Sequence, residues 1–179
     1  DGMLTGEEAV SILLLLDSIW IARNTVMSMK GKAALLEGIA ADIPDLRELS
    51  KEVFKSISER GEVLDSATPK LARLRANVSK TFLRVMRAME RIANSRSVKP
   101  SLQSGAIATR GDRLVLEVRA DARESVPGIV HDVSGIGSTL FVEPFKTVEL
   151  CNTWRETAAE AQREEERILR RVSRLIGDR

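Results

Sequence analysis

Two runs of apolar residues spaced by three and four, separated by a stretch in which that spacing is lost, most constrain what this chain can fold into. The first run is Leu71, Leu74, Val78, Phe82, Val85, Met89 and Ile92, the one-sided stripe of a helix of about 25 residues, roughly 38 Å long. Thr68 and Pro69 open it, a hydroxyl N-cap followed by proline at the first helical position. The second run follows Glu143-Pro144: Val148, Cys151, Trp154, Ala158, Ala161, Glu165, Ile168, Val172 and Leu175, a helix of roughly 50 Å. Small alanines at its middle permit close approach of a neighbour. Glu165 falls on the stripe and is expected to weaken or register the pairing there. Glu164 and Glu166 belong to a solvated face, where Glu166/Arg170 attract and Glu160/Glu164 repel.

Between the stripes the period becomes strand-like. Ala106 to Thr109 and Leu114 to Val118 flank the polar turn Arg110-Gly111-Asp112-Arg113. Gly128 to Val133 and Thr139 to Val142 flank Ser134-Gly135-Ile136-Gly137-Ser138. About four short strands are expected. The simplest path runs out along one helix, through the strands and back along the other, so the two stripes pair antiparallel.

The N-terminal third reads as helical. Thr5-Gly6-Glu7-Glu8 is a capping box, with Thr5 and Glu8 each satisfying a backbone N–H of the other's end. The helix it opens should reach about Met27. Its centre, Ile12 to Leu16 with Ile19 and Trp20, is apolar nearly all round, which predicts cover from several neighbours. Ala9 to Ala22, interrupted by Asp17, falls short of the roughly 20 residues a bilayer requires, so a buried core helix is expected rather than a membrane span. Shorter helices are expected near Lys32 to Ala40 and Asp45 to Glu59, divided by Pro44 and ended by Gly61. The chain opens on Asp1 rather than Met and closes within a helical charge pattern, as a piece of a longer protein would.

The search for catalytic chemistry is mostly negative. No Gly-x-x-x-x-Gly-Lys-Ser/Thr phosphate loop is present. The Gly-rich loop at Ser134 to Ser138 lies between strands rather than before a helix, so a turn explains it better than an anion cradle. His131 is the only histidine and cannot supply a multi-histidine metal site. Beside Asp132 it could act as a base in a hydrolase, but no nucleophile accompanies it, and a structural histidine is the simpler account. Cys151, the only cysteine, excludes an internal disulfide and a cysteine-based zinc site. On the stripe it reads as a packed thiol. No resident cofactor or metal is expected.

Charge carries more information. Net charge is +2, but residues 70–123 hold 13 Lys and Arg against 4 Asp and Glu, and the remainder holds 15 against 22. Lys70, Arg73, Lys80, Arg84, Arg87 and Arg91 recur at spacings that gather several on one helix flank. Arg96, Lys99, Arg110, Arg113, Arg119 and Arg123 continue into the β segment. Such cations neutralise phosphates without reading bases. With six aromatic residues in all, stacking on single strands is not indicated. The candidate contacts are Arg84, Arg87, Arg91, Arg96, Lys99, Arg110, Arg113, Arg119 and Arg123. The competing account is an Arg-rich helix that pairs with acidic faces elsewhere in the chain.

From Arg110 to Leu175 the chain resembles the MutS type II family. The likeness rests on Gly111-Asp112-Arg113-Leu114-Val115-Leu116, then Pro127-Gly128-Ile129-Val130-His131-Asp132, Thr139-Leu140-Phe141-Val142-Glu143-Pro144 and Val148-Glu149-Leu150-Cys151-Asn152. Asp65-Ser66-Ala67 with Leu71-Ala72-Arg73-Leu74-Arg75 is similar to an earlier family segment. Glu117, Cys151 and Thr68 stand where the family favours Pro, Asn and Ser.

The resemblance implies a mainly α chain: a helical core part (1–67), a first lever helix (68–95), a small antiparallel β clamp module (96–143) and a second lever helix (144–179), the two levers forming an antiparallel coiled coil. It further implies a cytoplasmic (or organellar), non-membrane, homodimeric parent that binds duplex or branched DNA and suppresses recombination. ATP and Mg2+ would act in a domain outside these residues, and a Smr nuclease domain often follows. Ribosome or rRNA contact, or a coiled-coil dimerisation module with no DNA role, are the alternatives.

Overall fold

A computed structural model describes residues 2–29 and 31–178. Among the described residues the chain is mainly α with one four-stranded antiparallel sheet. The helices are α1 (Gly6–Met27), α2 (Ala34–Ala41), α3 (Arg47–Phe54), α4 (Pro69–Ala93) and α5 (Phe145–Gly177). The strands are β1 (Leu102–Arg110), β2 (Arg113–Arg119), β3 (Gly128–Val133) and β4 (Thr139–Pro144). The chain divides into two compact units, Asp1–Arg73 with Gln162–Arg179, and Leu74–Ala161.

In the first unit the capping box forms as the sequence predicts. Glu8 N donates to Thr5 Oγ1 at 3.2 Å and Thr5 N to Glu8 Oε2 at 2.8 Å. Ala9, Val10 and Leu13 of α1 are buried with Leu49 and Val53 of α3, Ile57, and Val172 of α5. The expected all-round cover of α1 is not found: Leu14, Leu15 and Ile21 are exposed, because α3 and α5 reach only one flank. The expectation that this run falls short of a bilayer span is corrected: with 22 residues and a mean hydropathy of 1.4, α1 is long and apolar enough by length and composition to cross a membrane, and only its first turns join this core. The two following helices are shorter than expected. α3 ends at Phe54, where the chain turns into a bridge between Ile57 and Val63, and Gly61, at φ 81°, serves that turn rather than a helix end.

Thr68 caps α4 as read, accepting from Leu71 N at 3.0 Å. Its hydroxyl also donates to Glu164 Oε1 at 3.1 Å. Here the expected stripe needs correcting. Glu164, not Glu165, is the buried residue of α5, since the inward positions run Ala161, Glu164, Ile168, Val172. Glu164 is not an exposed member of a repelling pair but a carboxylate with three partners: Thr68, Lys70 at 3.1 Å and Arg167 at 2.6 Å.

In the second unit the sheet order is β1-β2-β4-β3. β1 begins at Leu102, four residues before the expected Ala106, because a register irregularity between Leu102 and Ile107 lets it keep pairing with β2. Gly111, at φ 58°, takes the left-handed conformation in the β1–β2 turn that residues with a Cβ avoid. Leu114, Leu116 and Val118 of β2 and Val142 of β4 pack on Val85, Met89 and Ala93 of α4 and Cys151 of α5. α4 and α5 also meet directly. Phe82 and Trp154 lie 5.2 Å apart, and the Thr81 and Thr157 hydroxyls 3.1 Å. Fully buried side chains such as Met89 and Leu116 contribute about 1.5–3 kcal/mol each. An exposed pair such as Arg119–Asp121 is screened by water and contributes far less, so apolar burial holds the sheet to the helices.

Hydrogen bonds from Arg167, with those from Lys70 and Thr68, hold the Glu164 carboxyl down at about 2, below an ordinary glutamate. A depressed carboxyl adds stability that is complete above its unfolded value and lost as pH falls through the folded one. Acid titration of the wild type should therefore show loss of stability between about pH 4.5 and 2, and Glu164→Gln should remove that component while lowering stability at pH 7. Equal acid dependence in both proteins, measured by urea unfolding, would contradict this role.

Candidate nucleic-acid interface

α4 separates its charges from its apolar stripe. At 3.6 residues per turn, Lys80, Arg84, Arg87 and Arg91 fall in one sector of the helix, opposite the buried Val85 and Met89. The arginines at 84, 87 and 91 are exposed, as are Arg96 and Lys99 beyond the helix and Arg123 in the short 3-10 segment Ala120–Ser125. None of these six makes an ion pair with a described residue; Arg91 Nε donates to the Arg87 carbonyl at 3.2 Å. Their charges are available to a ligand.

The other three candidates are engaged within the fold. Arg119 pairs with Asp121, and each strengthens the charged form of the other. Arg110 lies over the Phe141 ring, 3.6 Å from its centroid, with Nε 3.5 Å from Asp132. Arg113 donates to Glu143 Oε1 at 3.2 Å and to Asn152 Oδ1 at 2.8 Å.

The Glu143 neighbourhood is the feature sequence reasoning missed. Glu143 was legible only as part of the Glu-Pro step into a helix, yet it is a fully buried carboxylate at the end of β4. Its second oxygen lies 2.7 Å from His131 Nε2. An irregularity in the β3–β4 ladder between Val130 and Asp132 gives His131 no opposite partner in the ladder, an arrangement that re-aims a side chain. Gly128 lets β3 come this close. A Cβ there would stand 2.3 Å from the Glu143 carbonyl oxygen. The cluster joins β2, β3, β4 and α5, and it takes Arg113, His131, Glu143 and Asn152 from the four motif segments quoted above. That convergence was the available signal.

The cluster does not pair His131 with Asp132, as the hydrolase reading would require; His131 faces Glu143 instead. Burial, then a hydrogen bond to Glu143 and its negative charge, pushes the Cys151 thiol up to about 12, far from the thiolate a nucleophile would need. Its geometry suits fixing the sheet on α5.

The fold and site together define a helix-pair segment that carries a small sheet and an unpaired cationic face. No protein-family model matches the chain. Curated relatives do. An endonuclease MutS2 of Thermomicrobium roseum is 45% identical over 145 residues, 81% of this chain and 18% of that protein. Those of Synechocystis and Geobacillus thermodenitrificans are each 36% identical, over 96% and 87% of this chain and 21% and 20% of theirs. The chain belongs to the MutS2 (MutS type II) family and spans about a fifth of the length of the relatives it matches.

Two outcomes follow from the buried cluster. Glu143→Ala should cost about 3–5 kcal/mol in thermal or urea unfolding, because it strands the Arg113 charge; a cost below 1 would remove the cluster's structural role. Cys151 should resist iodoacetamide at pH 8 in the folded protein and react on unfolding. Native-state alkylation as fast as that of a free thiol would contradict its protonated, buried state.

Proposed function

We propose that this chain is the DNA-holding segment of a MutS2 protein, with its cationic face laid against the phosphate backbone and no direct reading of bases. The observation that carries this is the set of six exposed, unpaired cations, Arg84, Arg87, Arg91, Arg96, Lys99 and Arg123, beside three that the fold consumes. Membership of the family supports a DNA-related role. The α4–α5 pair acts as a coiled-coil lever that couples this contact to an ATPase, using ATP and Mg2+, elsewhere in the full-length protein. The whole protein is cytoplasmic and works as a homodimer on duplex or branched DNA, and its relatives are named endonucleases.

A second reading, an association module that contacts protein or the ribosome, is favoured by the exposed apolar residues of the first unit. These are Leu14, Leu15 and Ile21 of α1 and Leu35, Leu36 and Ile39 of α2, more than scattered single residues would give.

Duplex binding by the full-length protein, measured between about 50 and 200 mM salt, distinguishes them. Six phosphate contacts give a log–log slope of roughly −5. Arg84→Glu, Arg87→Glu and Arg123→Glu combined should weaken binding at least tenfold and flatten that slope by about one per contact, with self-association intact. Affinity that is unchanged in this variant, or independent of salt, would overturn the phosphate-contact reading. Arg113 is unsuitable for such a test, because its loss unpairs a buried carboxylate.

A further inference from the structure

The second unit contains a groove of which the DNA reading uses only one residue, Arg91. It lies between the C-terminal end of α4, the segment leading into β3, and the first turn of α5, with a volume of about 760 Å³. Its floor is aliphatic: Ile92, Val98, Val126 and Leu150. Phe145 stands at its edge, 61% exposed. Arg91 and Lys146 are the charged residues of the lining, which contains no carboxylate. The start of α5 adds the partial positive charge of a helix N-terminus on the same side.

We propose that this groove docks a short segment of a partner protein in which apolar side chains alternate with acidic ones. The volume lies in the range of sites that enclose a small ligand or a few side chains. The aliphatic floor fits one or two Leu-sized or Phe-sized groups, and the rim cations take carboxylates on either side. An inserted nucleobase fits less well, because the floor it would lie on is aliphatic rather than aromatic. Ser95 donates its hydroxyl to the Ile92 carbonyl at 2.7 Å and shares a contact of 3.5 Å with the Ser97 hydroxyl, and a single exposed phenylalanine offers little stacking surface. Glu90, beside Arg87 and Arg91 at the adjoining surface hollow, repels carboxylates from further along α4 and so places the acidic groups between Arg91 and Lys146. Arg91 belongs to both surfaces. Lys146 and Phe145 belong to the groove alone, so the two can be separated.

The test uses this chain and a fluorescein-labelled octapeptide of alternating leucine and aspartate. Saturable binding is expected, weakened at least tenfold by Lys146→Glu and by Phe145→Ala, and also when serine replaces leucine in the peptide. Both side chains are exposed, so thermal midpoints should stay at the wild-type value and confirm that the variants fold. Phe145→Ala, which removes no charge, should leave duplex binding unchanged. No binding, equal binding by the variants, or equal binding of the serine peptide would overturn the proposal. So would a thymidine decamer that shows the Lys146 and Phe145 dependence in place of the peptide, which would assign the groove to nucleic acid.

Discussion

The second unit depends on a charge that is costly to bury. Glu143 has no solvent contact, and an isolated ionised carboxylate in that position would cost several kcal/mol. It is tolerable only with Arg113 on one oxygen and His131 on the other. That requirement ties together the start of β2, the irregular middle of β3 and the end of β4, and through the bond from Arg113 to Asn152 the third turn of α5. Hydrophobic packing of β2 and β4 on α4 and α5 supplies most of the stabilisation. Because it is non-directional, it tolerates small shifts of the sheet. A buried ion pair with a bonded Asn152 is directional, and it joins the sheet to α5 at defined atoms.

The first unit repeats this arrangement with one carboxylate on a helix. Glu164 is almost wholly buried and is held by the capping threonine of α4, a lysine one residue inside that helix, and its own (i, i+3) arginine. Thr68 therefore has two roles, accepting from Leu71 N and donating to Glu164. A serine hydroxyl could make the same two bonds.

Much of the fold was legible because it follows from short-range rules. The capping box, the N-cap at Thr68, the stripe of α4 and the turn at Gly111 each depend on residues within a few positions of one another, and each forms. Most of what the sequence does not show depends on partners distant in it. A period of three and four fits Glu165 and Glu164 alike, and only Lys70 and Thr68, about a hundred residues away, decide between them. The composition of α1 says apolar without saying how many neighbours arrive. Leu102 to Gly105 lack alternation, and their place in β1 comes from pairing with β2. Glu143 finds its surroundings in a histidine, an arginine and an asparagine on three other elements.

The same distinction decides what a count of charges means. Residues 70–123 carry nine more basic than acidic side chains, and from sequence alone every cation in that excess is equivalent. In the fold they are not. Arg113 neutralises a buried carboxylate, Arg119 answers a neighbour two residues away, and Arg110 lies over Phe141 against Asp132. A charge already compensated inside a protein contributes little to the field felt by a polyanion. Arg110, Arg113 and Arg119 thus build the module, while Arg84, Arg87 and Arg91 of α4, with Arg96, Lys99 and Arg123, carry its uncompensated charge. A surface that keeps its cations unpaired does so at some cost in mutual repulsion. Arg84, Arg87 and Arg91, close together on one sector of α4 with Glu90 as the only acid nearby in sequence, accept that cost, which folding of α4 by itself would not require.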